Sequence, residues 1–249
     1  MNEKSKIFDE LLETFENEDL REYTVDLIKT IPDYFWEVGA SSTGKYHPQY
    51  ALGTLGLARH TVSLVRIMNH IFNLEFVQED FNSRERDLLR IAGMMHDTRK
   101  SGDEDDYKKS KFTKFDHPLL AARVMRNHLE GISPMENEII ASAIEGHMGQ
   151  WNTDKRSSVV LPKPTDKYQK LLHICDYLAS RKDIEMQFDN ILSAQPEQKF
   201  EDYRFTFGKY KGELLTKVAA EHRDYLVWMN GNLKMNELLN TFVKKILAD

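Results

Sequence analysis

One cysteine in 249 residues, Cys175, excludes any disulfide within the chain. With no disulfide framework, the cytoplasm is the expected compartment. Prolines (7) and glycines (12) are scarce and cluster between stretches of helical periodicity. No apolar run approaches the roughly 20 residues that span a bilayer, so no membrane partner is expected. The opening segment, MNEKSKIFDELLETFENEDL, is acidic and amphipathic, unlike a secretory or transit peptide. Positive charge is also in deficit. A net charge of −6 argues against broad adhesion to a nucleic-acid duplex, though it leaves room for a local basic cleft. What is present suits a folded, well-solvated protein: 41% apolar residues, enough for a sizeable core, and 30% charged residues.

Residues 5–30 read as one or two amphipathic helices. Residues 31–55 hold Pro32, Gly39, Gly44, Pro48 and Gly53 and read as a long irregular loop. Apolar residues then recur at helical spacing over about 56–73, 83–97, 117–130, 134–147 and 166–187. Polar breakers separate these segments: SGDEDDYKKSK (101–111), GISP (131–134) and WNTDKRSSVVLPKPTD (151–166). No strand–helix alternation appears, so the main domain, residues 1–190, is expected to be all-α. After ILSAQPEQK (191–199) the pattern changes. YRFTF (203–207) alternates as a strand does, GKYKG (208–212) supplies a turn with two glycines, and 213–222 and 235–247 return to helix. A small α+β module over 200–249, a β-hairpin plus helices, is therefore expected.

Polar residues share the apolar helix faces. His60 lies three residues after Leu57, four before Leu64 and seven before Ile67, on the inward stripe of its helix. LLRIAGMMHD (88–97) is apolar almost all round and ends in His96 and Asp97. His147 lies four after Ala143 and three after Ile144; Asp176 lies four after Leu172 and three before Ala179. His117 stands just before Pro118, where a helix would begin, and faces the same way as Leu120 and Val124. Burying Asp or His is costly unless the group is paired or bound to a metal. A lone histidine of this kind is usually a hydrogen-bonded core residue. Five helices each presenting one inward ligand-type group point instead to a metal cluster of His60, His96, Asp97, His117, His147 and Asp176. Mixed imidazole and carboxylate ligation favours manganese, iron, cobalt, nickel or zinc over an all-oxygen magnesium site.

The order H…HD…D, carried by GLARHT, GMMHDTRKSG and HICDYLASRK, resembles the HD-domain metal-dependent phosphohydrolases over roughly residues 50–190. FDHPLLAARV around His117 and IEGHMGQW around His147 resemble the added histidines of two-metal members, which are mostly phosphodiesterases. The resemblance implies an all-α HD-domain helical bundle with two divalent ions. Asp97 would bridge them, His60, His96 and Asp176 completing one ion and His117 and His147 the other. A metal-activated water would attack phosphorus. Lys100, at the H-D-x-x-K position, would contact the substrate phosphate, and Asp97 and Lys100 are thus the expected catalytic pair. Arg181 and Arg99 are candidate phosphate contacts, with plain surface charge favoured for each; Glu145 is a candidate acid–base group. His70, His128 and His222 read as structural or surface residues.

Gly39 to Lys45 spells G-x-x-x-x-G-K, the opening of a phosphate-binding loop. A working one needs Ser or Thr next, after a core strand, and here Tyr46, His47 and Pro48 follow with no parallel sheet in prospect. The nucleotide-triphosphatase reading is rejected. Loops with S-S-x-G-K-Y-H-P precede the first histidine in a subgroup of HD proteins, so Ser42, Lys45, Tyr46 and His47 are expected to contact substrate. An ordered surface loop is the equal alternative.

FTFGKYKGELLTKVAAEHRDYLVWM (205–229) resembles the C-terminal module of exonuclease X-like proteins. Lys209, Tyr210 and Lys211 put two cations and an aromatic on one turn, a candidate contact for a nucleic-acid strand. Phe205, Phe207, Leu226 and Trp228 are the candidate mini-core. The expected function is a metal-dependent phosphodiesterase acting on nucleic acid, a single-strand nuclease favoured. A nucleotide or cyclic-nucleotide phosphohydrolase is the alternative, and a non-catalytic nucleic-acid-binding or ligand-sensing protein the second.

Overall fold

The computed structural model of the chain describes residues 3–41, 47–182, 184, 203–205, 207–233, 235 and 237–248. The chain divides into two units, Met1–Ala194 and Gln195–Asp249, each with its own apolar core. Among the described residues no helix is long and apolar enough to cross a membrane.

The first unit begins with a 3-10 turn, Glu3–Phe8, that runs into α1 (Asp9–Leu12), followed by α2 (Glu18–Ile28). Two further 3-10 turns, Asp33–Trp36 and Gln49–Ala51, lie in the stretch before α3 (Gly56–Phe72). Then come α4 (Glu75–Asp80), α5 (Ser83–Met95), α6 (Glu104–Lys109), α7 (His117–Asn127), α8 (Pro134–Gly146) and α9 (Lys167–Ala179). The sequence writes several helix starts directly. Asn82 with Glu85, Asp103 with Asp106, Ser133 with Glu136, and Asp166 with Gln169 form reciprocal capping boxes at α5, α6, α8 and α9. Pro118 and Pro134 sit in first turns, where a missing N–H costs nothing.

α3 is buried nearly all round, with Leu57, Ala58, Val62, Leu64, Val65 and Met68 fully covered. It packs on α5 and α9, while α8 packs on α5, α7 and α9. The close approach of α3 and α5 uses Gly93, where an added Cβ would stand 2.9 Å from Leu64 and 3.1 Å from Val65. Buried Asp87 of α5 accepts from the Asn17 N–H at 2.8 Å and the Glu16 N–H at 3.0 Å, holding the start of α2 against α5. α6 falls inside the stretch expected to be a breaker; it buries no side chain, so no apolar stripe announces it. α9 stops at Ala179 rather than near 187, where the Ser180 hydroxyl bonds the Asp176 and Tyr177 carbonyls at 2.9 and 3.0 Å.

The second unit holds α10 (Leu215–Glu221), α11 (Arg223–Asn232) and α12 (Glu237–Ala248). The expected β-hairpin, and with it the α+β description, is not borne out. Among the described residues there is no β-strand, only the isolated bridge Arg204–Leu214 in this unit. The alternation of YRF is real, since Tyr203 and Phe205 are buried and Arg204 is exposed. Among the described residues this stretch has no partner strand, because α10 begins at Leu215, directly after the bridge. Gly208 and Gly212, at φ +74° and +91°, turn the loop so that the Phe205 N–H bonds the Glu213 carbonyl at 3.0 Å. Phe205 and Leu226 do join the core, with Leu215, Val218 and Met229, whereas Phe207 and Trp228 are exposed.

Candidate metal centre

Five helices or helix ends bring the six sequence-predicted ligands together. His60 projects from the second turn of α3, His96 and Asp97 follow the end of α5, His117 opens α7, His147 follows the end of α8, and Asp176 lies in the last turn of α9. The four histidines and Asp97 are all 3% exposed or less; the Asp176 side chain is 19% exposed, opening on a cavity of about 590 Å³. His60 Nε2 stands 3.0 Å from Asp176 Oδ1, and His117 Nε2 stands 3.0 Å from Asp97 Oδ1. His96 Nε2 lies 3.5 Å from Asp97 Oδ2 and 3.7 Å from Asp176 Oδ1. His147 Nε2 lies 3.9 Å from Asp97 Oδ1. Ligand atoms fall into three overlapping triads: His60–His96–Asp97, His96–His147–Asp176 and Asp97–His117–His147.

The backbone aims three of these rings. His96 Nδ1 faces the Gly93 carbonyl at 2.8 Å, His117 Nδ1 that of Lys114 at 2.7 Å, and His147 Nδ1 that of Ile144 at 2.7 Å. In each case the carbonyl can only accept, so Nδ1–H donates and Nε2 presents its lone pair to the centre. The consequence is a site in which acceptors face acceptors. His96 Nε2, His117 Nε2 and Asp97 Oδ1 are buried and lack a hydrogen bond among the described residues. Lone pairs this close repel unless a cation lies among them. The donor set of four imidazoles and two carboxylates therefore fits divalent metal.

The charges of the site keep both carboxylates in the ionised form that metal binding needs. Burial alone would raise the Asp97 carboxyl, but the Lys100 ammonium and the His96 and His117 rings outweigh it and hold the group well below the carboxylate range. Asp176 is lowered in the same way, burial being overcome by His60, His96 and His147. Burial would lower His96, yet Asp97 and Asp176 push it up. His147 falls to about 3, mainly through burial and then through the charge of His96, so it is a neutral imidazole near pH 7.

Residues 54–181, about half of the chain and the stretch that carries this geometry, match the HD domain. The chain belongs to the HD-domain family. That makes it a metal-dependent phosphohydrolase. No curated protein and no solved structure matches it.

Around the HD cluster, Lys100 Nζ contacts Asp97 Oδ2 and lines the cavity with His47 and Arg181. The His47 ring meets His60 edge-on at 5.4 Å, and burial lowers its pKa to about 3. Ser42, Lys45 and Tyr46 lie outside the described residues. Arg99 and Glu145 are occupied elsewhere: Arg99 donates to the Thr30 carbonyl at 3.0 Å, and Glu145 pairs with Arg126. In the second unit Lys209 and Lys211 are exposed, while Tyr210 stacks on His222 at 4.7 Å and meets Tyr225 at 4.8 Å, which engages much of its ring. Sequence reasoning missed Thr113, Trp151 and Ser180 on the cavity wall. Their only sequence signal is proximity to a ligand: Trp151 follows His147 by four, and Ser180 follows Asp176 by four.

Proposed function

We propose that the chain hydrolyses phosphodiester bonds in nucleic acid, single strands favoured, using two divalent transition-metal ions held by its HD cluster. The observation that carries the two-ion reading is the orientation of Asp97. Its Oδ1 faces His117 and His147, and its Oδ2 faces His96. A carboxylate so placed can bridge. His60, His96 and Asp176 would complete one ion and His117 and His147 the other, with manganese, iron, cobalt, nickel or zinc suited to the donors. Bound there, such ions supply Lewis acidity toward phosphoryl oxygens and lower the pKa of water. Lys100 brings a compact cation to the cavity wall beside Asp97, suited to charge developing on the phosphoryl group. His47 and Arg181 would bind substrate, as would Ser42, Lys45 and Tyr46.

In this reading residues 1–190 form the catalytic domain and 200–249 an accessory module. The nucleic-acid preference rests on Lys209 and Lys211, exposed on the two-glycine turn, with Tyr210 beside them. The cavity favours a second reading, a nucleotide or cyclic-nucleotide phosphohydrolase, since about 590 Å³ lies in the range of small-ligand pockets. A hydrolysis panel with added manganese separates them. It contains single- and double-stranded DNA and RNA, nucleoside mono- and triphosphates and cyclic nucleotides, with a His96→Ala/Asp97→Ala control. Oligonucleotide cleavage, absent in the control, is expected; turnover of small nucleotides alone would replace the first reading by the second. No turnover with manganese, or with iron, cobalt, nickel or zinc in its place, would leave a non-catalytic nucleic-acid-binding or ligand-sensing protein.

A further inference from the structure

The cavity has an aromatic wall that the hydrolytic chemistry does not use. Trp151 is 46% exposed although it lines the same cavity as Asp97, His117, His147 and Asp176. Its indole lies nearly parallel to the Tyr177 ring, with centroids 5.8 Å apart and planes at 11°. The Arg181 guanidinium sits 4.1 Å from the Tyr177 centroid and 5.8 Å from that of Trp151. Arg181 Nε is buried and has no hydrogen-bond partner among the described residues. An exposed indole, a parallel ring and a planar cation thus form one assembly at the mouth of the phosphoester site.

The assembly is held in place. His173 of α9 contacts the His147 carbonyl through Nδ1 at 2.7 Å and Gln150 Oε1 through Nε2 at 3.1 Å. Gly149 lets the turn close over this ring: at φ +58°, an added Cβ would fall 2.1 Å from His173. The turn that carries Trp151 is therefore pinned by the same ring that bonds the backbone of a metal-cluster histidine. Tyr177 is the residue after Asp176. Each ring of the wall hangs from an element that also delivers a cluster residue, so the wall and the reacting centre keep a fixed separation.

We propose that Trp151, backed by Tyr177 and Arg181, is a nucleobase platform that selects phosphoesters bearing a base. A flat, exposed indole beside a phosphate-binding centre suits a base by stacking, and stacking tolerates every base. The inference rests on the HD hydrolase reading and narrows its substrate class to nucleotides and nucleic acids.

The test compares two phosphodiesters with the same leaving group, thymidine 5′-(p-nitrophenyl phosphate) and methyl p-nitrophenyl phosphate, using the full chain with manganese. Trp151→Ala should lower the kcat/KM ratio of the thymidine ester to the methyl ester by roughly 5- to 150-fold, the effect of one base–aromatic stack, mostly through KM. Trp151→Phe, which keeps a ring, should recover most of the ratio. A preference left unchanged both between these two esters and between an oligothymidylate and an abasic oligomer, or equal recovery by Trp151→Leu, overturns the platform and leaves the hydrolase reading standing. An oligothymidylate beside an abasic oligomer extends the comparison. A Trp151 effect on oligomers alone supports the platform for a strand, and one on the thymidine ester as well supports it for single nucleotides. If the wild type hydrolyses none of these, the hydrolase reading fails, and calorimetric titration decides the platform by itself. Thymidine 5′-monophosphate should then bind more tightly than ribose 5-phosphate in the wild type but not in Trp151→Ala, and equal binding in the wild type overturns it.

Discussion

Asp97→Asn would keep the shape of the side chain but remove the charge that His117 Nε2 and Lys100 Nζ approach. Loss of a supporting group around a metal typically costs 10- to 100-fold, so loss of the proposed bridging ligand should cost at least about 100-fold in activity. Metal content measured on the purified protein should fall in parallel. Lys100→Met is expected to separate the two effects, keeping the metal while kcat falls by about 100-fold or more. If metal content drops and kcat per bound ion does not, Lys100 serves only to balance Asp97. The single thiol offers an independent check of the packing. Cys175 is fully covered, and burial, with Asp176 next to it, pushes its pKa far up. A disulfide exchange reagent at pH 8 should therefore find almost no reactive thiol in the native protein and one per chain after denaturation.

Among the elements, the start of α3 is fitted closely to the backbone that precedes it. Gly56 leaves no space for a side chain: an added Cβ would stand 2.5 Å from the Ala51 carbonyl oxygen and 2.9 Å from the Gly39 Cα, all backbone atoms. One turn on, buried Arg59 donates to the carbonyls of Thr54 at 3.0 Å, Leu52 at 2.8 Å and Tyr50, tying the segment before α3 to the helix that carries His60. Gly56→Ala should destabilise the first unit by about 2 kcal/mol or more, since backbone must move. Gly93→Ala should cost less, because only the Leu64, Val65 and Met68 side chains crowd it. Arg59→Met should cost about 3 kcal/mol by stranding buried carbonyls. Urea titration of the three variants gives the order, and a Gly56→Ala protein as stable as Gly93→Ala would refute it.

At the scale of the whole molecule, two separate cores predict two unfolding events. Phe8, Leu57, Leu64, Met68 and Ile144 belong to the first core, and Phe205, Leu215, Leu226 and Val243 to the second. Because every cluster ligand lies in the first unit, manganese should raise that transition alone, by about 2.7 kcal/mol when present at 100 times its dissociation constant. Scanning calorimetry with and without chelator checks this; one transition that shifts as a whole would show the units unfold together.

The sequence by itself determined the helices that pack and the candidate ligands they bring together. Both leave local signals: the 3.6-residue apolar repeat around His60, capping boxes such as Ser133 with Glu136, and His or Asp on inward stripes. It did not reveal α6, which buries nothing, nor foresee that Arg204 would form a single bridge, because a strand exists only where another segment pairs with it. Tertiary structure alone decided which way each oxygen of Asp97 faces and how Trp151, on a turn after α8, meets Tyr177 and Arg181 near the end of α9. These relations join residues far apart in the chain, and side-chain periodicity records only what lies within a few residues along one helix or strand.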